Sequence, residues 1–239
     1  MISVFSFDRG HASARLEAAC LEAFDASAQT WERDAAARFR RTEAGAAYRF
    51  GHGALRLALR EATRTSPTLS LDSTGKPFCV DGPAFNMSHA GPLTVIAVSA
   101  RAHVGIDVAI LESDDQASPL SIAVTDEEMP LLPHLAHDPR EAEIVLWSLK
   151  EAALKLTGEV MISPQDIAVY RKGDVFAVRA SRSGRGPFPH VCVRLKPWLN
   201  HSVVALAAYE AVPDFNVTEW QDQTFCNDEM LSAFARTLD

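Results

Sequence analysis

The stretches Gly91-Pro92-Leu93-Thr94-Val95-Ile96-Ala97-Val98-Ser99 and Val104-Gly105-Ile106-Asp107-Val108 decide how this chain is read. Both are rich in β-branched residues, and the short polar interval at 100–103 predicts an antiparallel hairpin between them. The first has a loose echo much later, in Asn200-His201-Ser202-Val203-Val204-Ala205-Leu206-Ala207-Ala208, which reads as a trace of internal duplication resting on the letters alone. Upstream of the first stretch lie a strand at 2–7, Ala- and Arg-rich helical sequence over 11–64 with a break near 42–45, and a polar Gly- and Pro-containing stretch over 65–83. Downstream come an acidic, Pro-punctuated segment at 111–139 and a helix over 140–157. Strands follow near 167–170, 175–180, 191–195 and 202–209, with a Ser-Gly-Arg-Gly-Pro loop at 183–187. The expectation is an α+β fold of two similar halves, 1–109 and 110–212, each with helices on a small antiparallel sheet. A tail at 213–239 shows no clear strand pattern and is read as a tail helix or a mobile end.

Composition narrows the class. With 239 residues, 47% of them hydrophobic, the chain can bury one large core or two half-sized ones. Its 31 acidic against 23 basic residues, a formal charge of -8, argue against nucleic acid or an anionic membrane as the main partner. Any phosphate site must therefore be a local concentration of positive charge. Cys20, Cys79, Cys192 and Cys226 form no CxxC pair, so reduced thiols are expected rather than zinc or a disulfide framework. The start MISVFSFDRG does not read as a signal peptide, and no run approaches the roughly 18 apolar residues of a membrane span. A cytoplasmic protein is expected, in which the sequons at Asn86 and Asn216 carry no meaning.

Alternation along 104–108 sends Val104, Ile106 and Val108 to one face and Gly105 and Asp107 to the other. Alone, Asp107 reads equally as a strand-terminal carboxylate capping the next turn. In the helix over 140–157, Leu146, Leu149, Ala153 and Leu156 form the buried stripe. Trp147, Glu151 and Lys155 follow on an adjacent face with Lys150 beside them, where Glu151 and Lys155 could be no more than a solvated ion pair. Together, a strand carboxylate, a helix carboxylate and two lysines are the parts of a Mg²⁺ site for a pyrophosphate-bearing cofactor, because Mg²⁺ takes oxygen ligands and keeps waters. In Phe85-Asn86-Met87-Ser88-His89-Ala90-Gly91, neighbouring Ser and His do not make a hydrolase triad, and no GxSxG elbow is present. Phosphate contacts by Ser88 and His89 compete there with a plain polar loop. Gly75-Lys76-Pro77 is a turn with one base.

In this order, Gly75-Lys76-Pro77, Phe85-Asn86-Met87-Ser88-His89, Val104-Gly105-Ile106-Asp107 and Trp147-Ser148-Leu149-Lys150-Glu151-Ala152-Ala153-Leu154-Lys155 closely resemble the Sfp-type 4′-phosphopantetheinyl transferases. The resemblance runs from the first strand to about Tyr209 and includes Gly51-His52-Gly53-Ala54-Leu55-Arg56. It implies a pseudo-twofold fold whose halves enclose coenzyme A, and transfer of the phosphopantetheine arm to a serine of an acyl or peptidyl carrier protein with release of 3′,5′-ADP. It assigns Mg²⁺ to Asp107 and Glu151, and catalysis to Glu151 as general base and Lys155 at the departing diphosphate oxygen. It gives cofactor contacts to Lys76, Ser88, His89, Lys150 and Lys155. The carriers of the family belong to fatty-acid, polyketide or nonribosomal-peptide synthesis, and a monomer is expected.

Two departures stand out. Where many relatives carry a second acid two residues after the strand aspartate, this chain has Ala109. The early-helix bases that hold the adenosine 3′-phosphate in some relatives fall at Glu32, Ala35 and Ala47, with Arg33, Arg38, Arg40, Arg41 and Arg49 nearby. The segment 111–139 is the candidate carrier-docking surface, and its His134 and His137 lack a third metal ligand in register. The rival readings are a noncatalytic coenzyme A or carrier-protein binder and a Mg²⁺-dependent phosphohydrolase.

Overall fold

Two strands in this chain have almost no solvent face. β5 (Leu93–Ser99) is buried at every residue, and β10 (Ser202–Tyr209) at every residue but Tyr209. An antiparallel strand reads as a continuous apolar run only when both of its faces are covered, and the layers show what covers these two. The computed structural model describes residues 2–100, 102–111, 123–158, 162–182 and 188–220. The expected loop at 183–187, most of the first dozen residues after Ile110, Cys226 and the tail beyond Trp220 lie outside them.

The first sheet has the order β11-β1-β5-β4, where β1 is Ile2–Asp8, β4 is Ala84–Ala90 and β11 is Val217–Glu219. Helices α1 (Ala14–Ser27) and α3 (Thr42–Thr63) cover one face, packing Leu16, Phe50, Leu55 and Leu59 against Phe5, Phe7, Ile96 and Val98. The second sheet has the order β6-β10-β9-β8-β7, with β6 Gly105–Ile110, β7 Ile167–Lys172, β8 Val175–Ala180 and β9 Val191–Trp198. Helix α4 (Pro139–Thr157) packs Leu146, Leu149, Ala153 and Leu156 on it, against Val203, Ala205 and Ala207. The remaining faces meet in one cluster in which Leu93, Val95 and Ala97 face Val204, Leu206 and Ala208. The order of layers is therefore helices, sheet, sheet, helix, an α+β fold with two small, mostly antiparallel sheets. β5 and β10, whose sequences echo one another, are both internal to their sheets. Each follows a tight turn with left-handed backbone, at Gly91 (φ 53°) in one case and Asn200 and His201 in the other.

The expected strands near 167–170, 175–180, 191–195 and 202–209 and the helix over 140–157 are all present, but three local readings are corrected. The stretches 93–99 and 104–108 do not pair with each other: β5 is flanked by β1 and β4, and β6 pairs with β10. The hairpin partner of β5 is the Asn86–His89 motif itself, which is a strand rather than a loop. Thr42–Gly45 opens α3, and the helical breaks come instead at Ala28-Gln29 and at 38–41, around the short helix α2 (Thr30–Ala37). The tail contributes β11, which pairs in parallel with β1. Beyond it Trp220 donates its backbone N–H to Ser6 and stacks on Phe7 at 5.2 Å between ring centroids. No described helix is long and apolar enough to cross a membrane.

The segment that follows β10 therefore returns to the first sheet and ties the two together, with Lys196 of β9 holding the carbonyl of Phe215 on the way. Trp220 is 3% exposed. Trp220→Ala is expected to cost about 3–5 kcal/mol in urea-unfolding experiments, and a loss under about 1 kcal/mol would show that the strap is not part of the folded core.

Candidate functional site

The approach of β6 to α4 sets up the site. Gly105 and Asp107 share the face of β6 turned toward the helix, and a Cβ on Gly105 would lie 2.0 Å from the carbonyl oxygen of Ala152. Only glycine permits that contact. One pleat further on, the Asp107 carboxylate reaches the helix side chains. Its Oδ2 accepts a hydrogen bond from Ser148 Oγ at 2.8 Å, and its Oδ1 accepts from Lys155 Nζ at 2.6 Å. Ser148, Glu151 and Lys155 stand at i, i+3 and i+7, one stripe of α4. The helix is fixed at both ends, by Asp138 accepting from the backbone N–H groups of Arg140 and Glu141 and by Gly158 in the left-handed conformation.

The first sheet contributes through β4. Alternation turns Asn86 and Ser88 toward β6. Ser88 Oγ donates to Asp107 Oδ1 at 2.8 Å and accepts from Lys155 Nζ at 2.9 Å, while Asn86 Oδ1 accepts from the backbone N–H of Ile106 at 3.1 Å. Side chains thus join the two sheet edges where no backbone ladder does. His89, adjacent to Ser88, points to the opposite face and is exposed. The Gly75-Lys76-Pro77 turn links β2 (Leu69–Leu71) and β3 (Pro77–Cys79). It is set by Asp72 Oδ1, which accepts from the N–H of Thr74, the hydroxyl of Thr74 and the N–H of Lys76. The turn aims Lys76 Nζ at the carbonyl of Lys155, 2.6 Å away at the negative end of α4. Burial lowers the pKa of this ammonium below the ordinary lysine value.

Glu151 is half-buried beside this cluster. Burial raises its pKa above that of an ordinary glutamate, the charge of Asp107 adds to the rise, and Lys155 opposes it. Among the described residues its carboxylate makes no side-chain hydrogen bond, in contrast to Asp107, which takes three. Two carboxylates suffice for Mg²⁺ when phosphate oxygens and water complete the shell, so Asp107 and Glu151 fit that ion. No third His, Cys, Asp or Glu joins them among the described residues.

Two cavities open beside the cluster and share Met87 and His52 as walls. One, of about 430 Å³, lies between the Lys76 turn and Lys155, with Leu55, Phe85 and Leu154 as its apolar lining. The other, of about 300 Å³, is bounded by Phe39, Tyr48, Arg9 and His89. The His52 ring that divides them is stacked on Tyr48 at 4.1 Å and held by Glu32 Oε1 at 2.7 Å from its Nδ1. A third cavity, lined by Leu131, His134, Tyr170 and Arg171, lies apart from this site.

The structure brings Asp107, Ser88, Glu151, Lys155 and Lys76 together and places His89 at the far cavity. Lys150 is turned elsewhere, which corrects its expected role at phosphate. It is fully buried, with Nζ donating to Glu128 Oε2 at 2.7 Å and to the carbonyls of Ala123, Pro164 and Ile167. An ammonium with three N–H groups and four acceptors around it has nothing left for a ligand. Glu32 is likewise buried, not a surface position awaiting a cation. Burial works against its charge, but bonds from His52, Arg56 and the N–H of Gln29 outweigh it and lower the carboxyl to about 2. Of the nearby arginines, Arg33 caps the carbonyls of Asp25 and Ala28, and Arg49 pairs with Asp25. Sequence reasoning missed Ser148 and Asn86. Their signal was spacing, Ser148 one and two turns before Glu151 and Lys155, and Asn86 two residues before Ser88.

The class defined here is an α+β protein with a carboxylate–lysine site at the junction of its two sheets. No family model matches the chain. Ninety residues, 37% of it, are 38% identical to the 4′-phosphopantetheinyl transferase psf-1 of Bacillus pumilus. The match spans 38% of that protein's length.

Lys150→Met is expected to destabilise the fold by about 3–5 kcal/mol by stranding the Glu128 carboxylate. A loss under about 1 kcal/mol in urea unfolding would contradict the buried pairing.

Proposed function

We propose that the protein transfers the 4′-phosphopantetheine arm of coenzyme A to a serine hydroxyl of an acyl or peptidyl carrier protein, releasing 3′,5′-ADP. The observation that carries this reading is the Asp107–Ser88–Ser148–Lys155 cluster, with Glu151 beside it, at one end of a pair of adjoining cavities. The hollow offers apolar walls for an extended ligand and cationic groups, Lys76, Lys155 and Arg9, with the His89 imidazole, spaced along it for phosphates. The partial likeness to a 4′-phosphopantetheinyl transferase supports the same reaction.

Asp107 and Glu151 would hold Mg²⁺, which supplies charge neutralisation at the pyrophosphate when bound. The protein's own groups account for the rest. Glu151 takes the proton of the carrier serine directly or through a water. Lys155 and Ser88 contact the pyrophosphate, and Lys155 stabilises or protonates the departing diphosphate oxygen. Lys76 holds the Gly75-Lys76-Pro77 turn against the C-terminus of α4 and so keeps the wall of the larger cavity in place. A noncatalytic binding role is not favoured, because Asp107, Glu151 and Lys155 are all retained at one place.

The test is incubation of the protein with coenzyme A, Mg²⁺ and a panel of apo carrier domains. The expected result is a mass increase of one phosphopantetheine arm on at least one carrier, and no addition to any carrier would refute the assignment. Glu151→Gln should lower turnover by about 10²–10⁴-fold, the usual contribution of a general base, with an unchanged melting temperature. Undiminished turnover would remove Glu151 from its role. The pH profile follows in sign: Glu151 works unprotonated, so kcat/KM falls on acidification as it takes up a proton.

A further inference from the structure

The bonding at Asp107 carries a consequence for the order in which ligands enter. Its carboxylate is 8% exposed and already accepts from three protein donors. Ser148 is on Oδ2, and Ser88 and Lys155 are both on Oδ1. A carboxylate has about four acceptor positions. The position left over is on Oδ2, and a divalent cation there would share one carboxylate with the Lys155 ammonium, so the two positive charges would repel one another in a poorly solvated place. Ala109, on the same face of the strand, packs with the apolar side chains under α4 and offers no second oxygen. The three donors differ in one respect. Ser88 and Ser148 are buried, short and fixed, whereas Lys155 is 28% exposed on a flexible stem and uses two of its three N–H groups.

We propose that Lys155 is a placeholder, occupying the cation position of Asp107 in the free protein and leaving it when a phosphate-bearing ligand offers the lysine a second anion. The two serines keep the carboxylate oriented when the lysine leaves. Divalent cation and ligand then bind cooperatively, each raising the affinity for the other by the same factor. This inference rests on the reading of Asp107 and Glu151 as metal ligands.

The experiment is a Mn²⁺ titration of the full chain followed by electron paramagnetic resonance, with and without coenzyme A and with no carrier present, so that nothing turns over. In the unsubstituted protein, coenzyme A should tighten Mn²⁺ binding by about tenfold or more, within the usual range of coupling between sites. Lys155→Met should bind Mn²⁺ about tenfold more tightly than the unsubstituted protein when coenzyme A is absent, and the enhancement by coenzyme A should shrink by about the same factor, leaving the part due to direct phosphate ligation of the ion. Lys155→Arg keeps the charge and should keep weak binding in the free state, and thermal melts check that both variants are folded. Mn²⁺ affinity in Lys155→Met equal to or below that of the unsubstituted protein, or affinity indifferent to coenzyme A, would overturn the inference. So would the absence of Mn²⁺ binding in every form. Transfer to a carrier by the unsubstituted protein, with Mn²⁺ affinity unchanged in Lys155→Met, would defeat the placeholder alone. Tightened Mn²⁺ binding with no transfer to any carrier would defeat the proposed reaction alone.

Discussion

The contact of β6 with α4 at Gly105 is the constraint on which the rest of the structure depends. A strand and a helix backbone rarely come this close, because any side chain at the contact holds them apart. Here a Cβ would sit within 2.0 Å of a helix carbonyl. The closeness lets a side chain as short as aspartate bridge from strand to helix, two residues along. The same carboxylate receives Ser88 from the other sheet, so Asp107 is the point where β4, β6 and α4 meet. Removing it would leave two hydroxyls and an ammonium facing one another in a largely buried space, which is costly for groups without partners.

The acidic balance of the whole chain is partly taken up in buried pairs. Glu32 and Glu128 are fully buried and neutralised on the spot, the first by Arg56, with His52 hydrogen-bonded to the same carboxylate, and the second by Lys150. These pairs hold structure and contribute no net field. The first fixes the ring of His52 between the two cavities. The second ties the segment near Ala123–Glu128, α4 and the start of β7 into one unit. The cationic groups that face the hollow, Lys76 and Arg9 among them, are few and each borders a cavity.

Much of this was legible in the letters. Strict alternation put Gly105 and Asp107 on one face, a 3.6-residue period gave the buried stripe of α4, and the likeness of 91–99 to 200–208 marked two strands with similar places. Pairing was not legible. Two apolar strands with a short polar interval predict a hairpin, yet β5 has both edges taken, and the partner of β6 is about a hundred residues away in sequence. Lys150 was misread because a helical wheel gives the angle between side chains but not what packs on each face. The acidic segment before α4 comes back over that side and supplies Glu128. Val217–Glu219 was too short to show a period, and it is held by its parallel pairing with β1 and by Val217 in the core cluster with Val4.

The most direct measurement is anomalous diffraction from crystals grown with Mn²⁺ and coenzyme A. The account predicts a manganese peak between the carboxylates of Asp107 and Glu151, with the pyrophosphate within reach of Lys155 and the rest of the cofactor along the two cavities that share Met87 and His52. A cofactor seated instead in the separate cavity by Tyr170 and Arg171, or a metal peak away from Asp107, would contradict it.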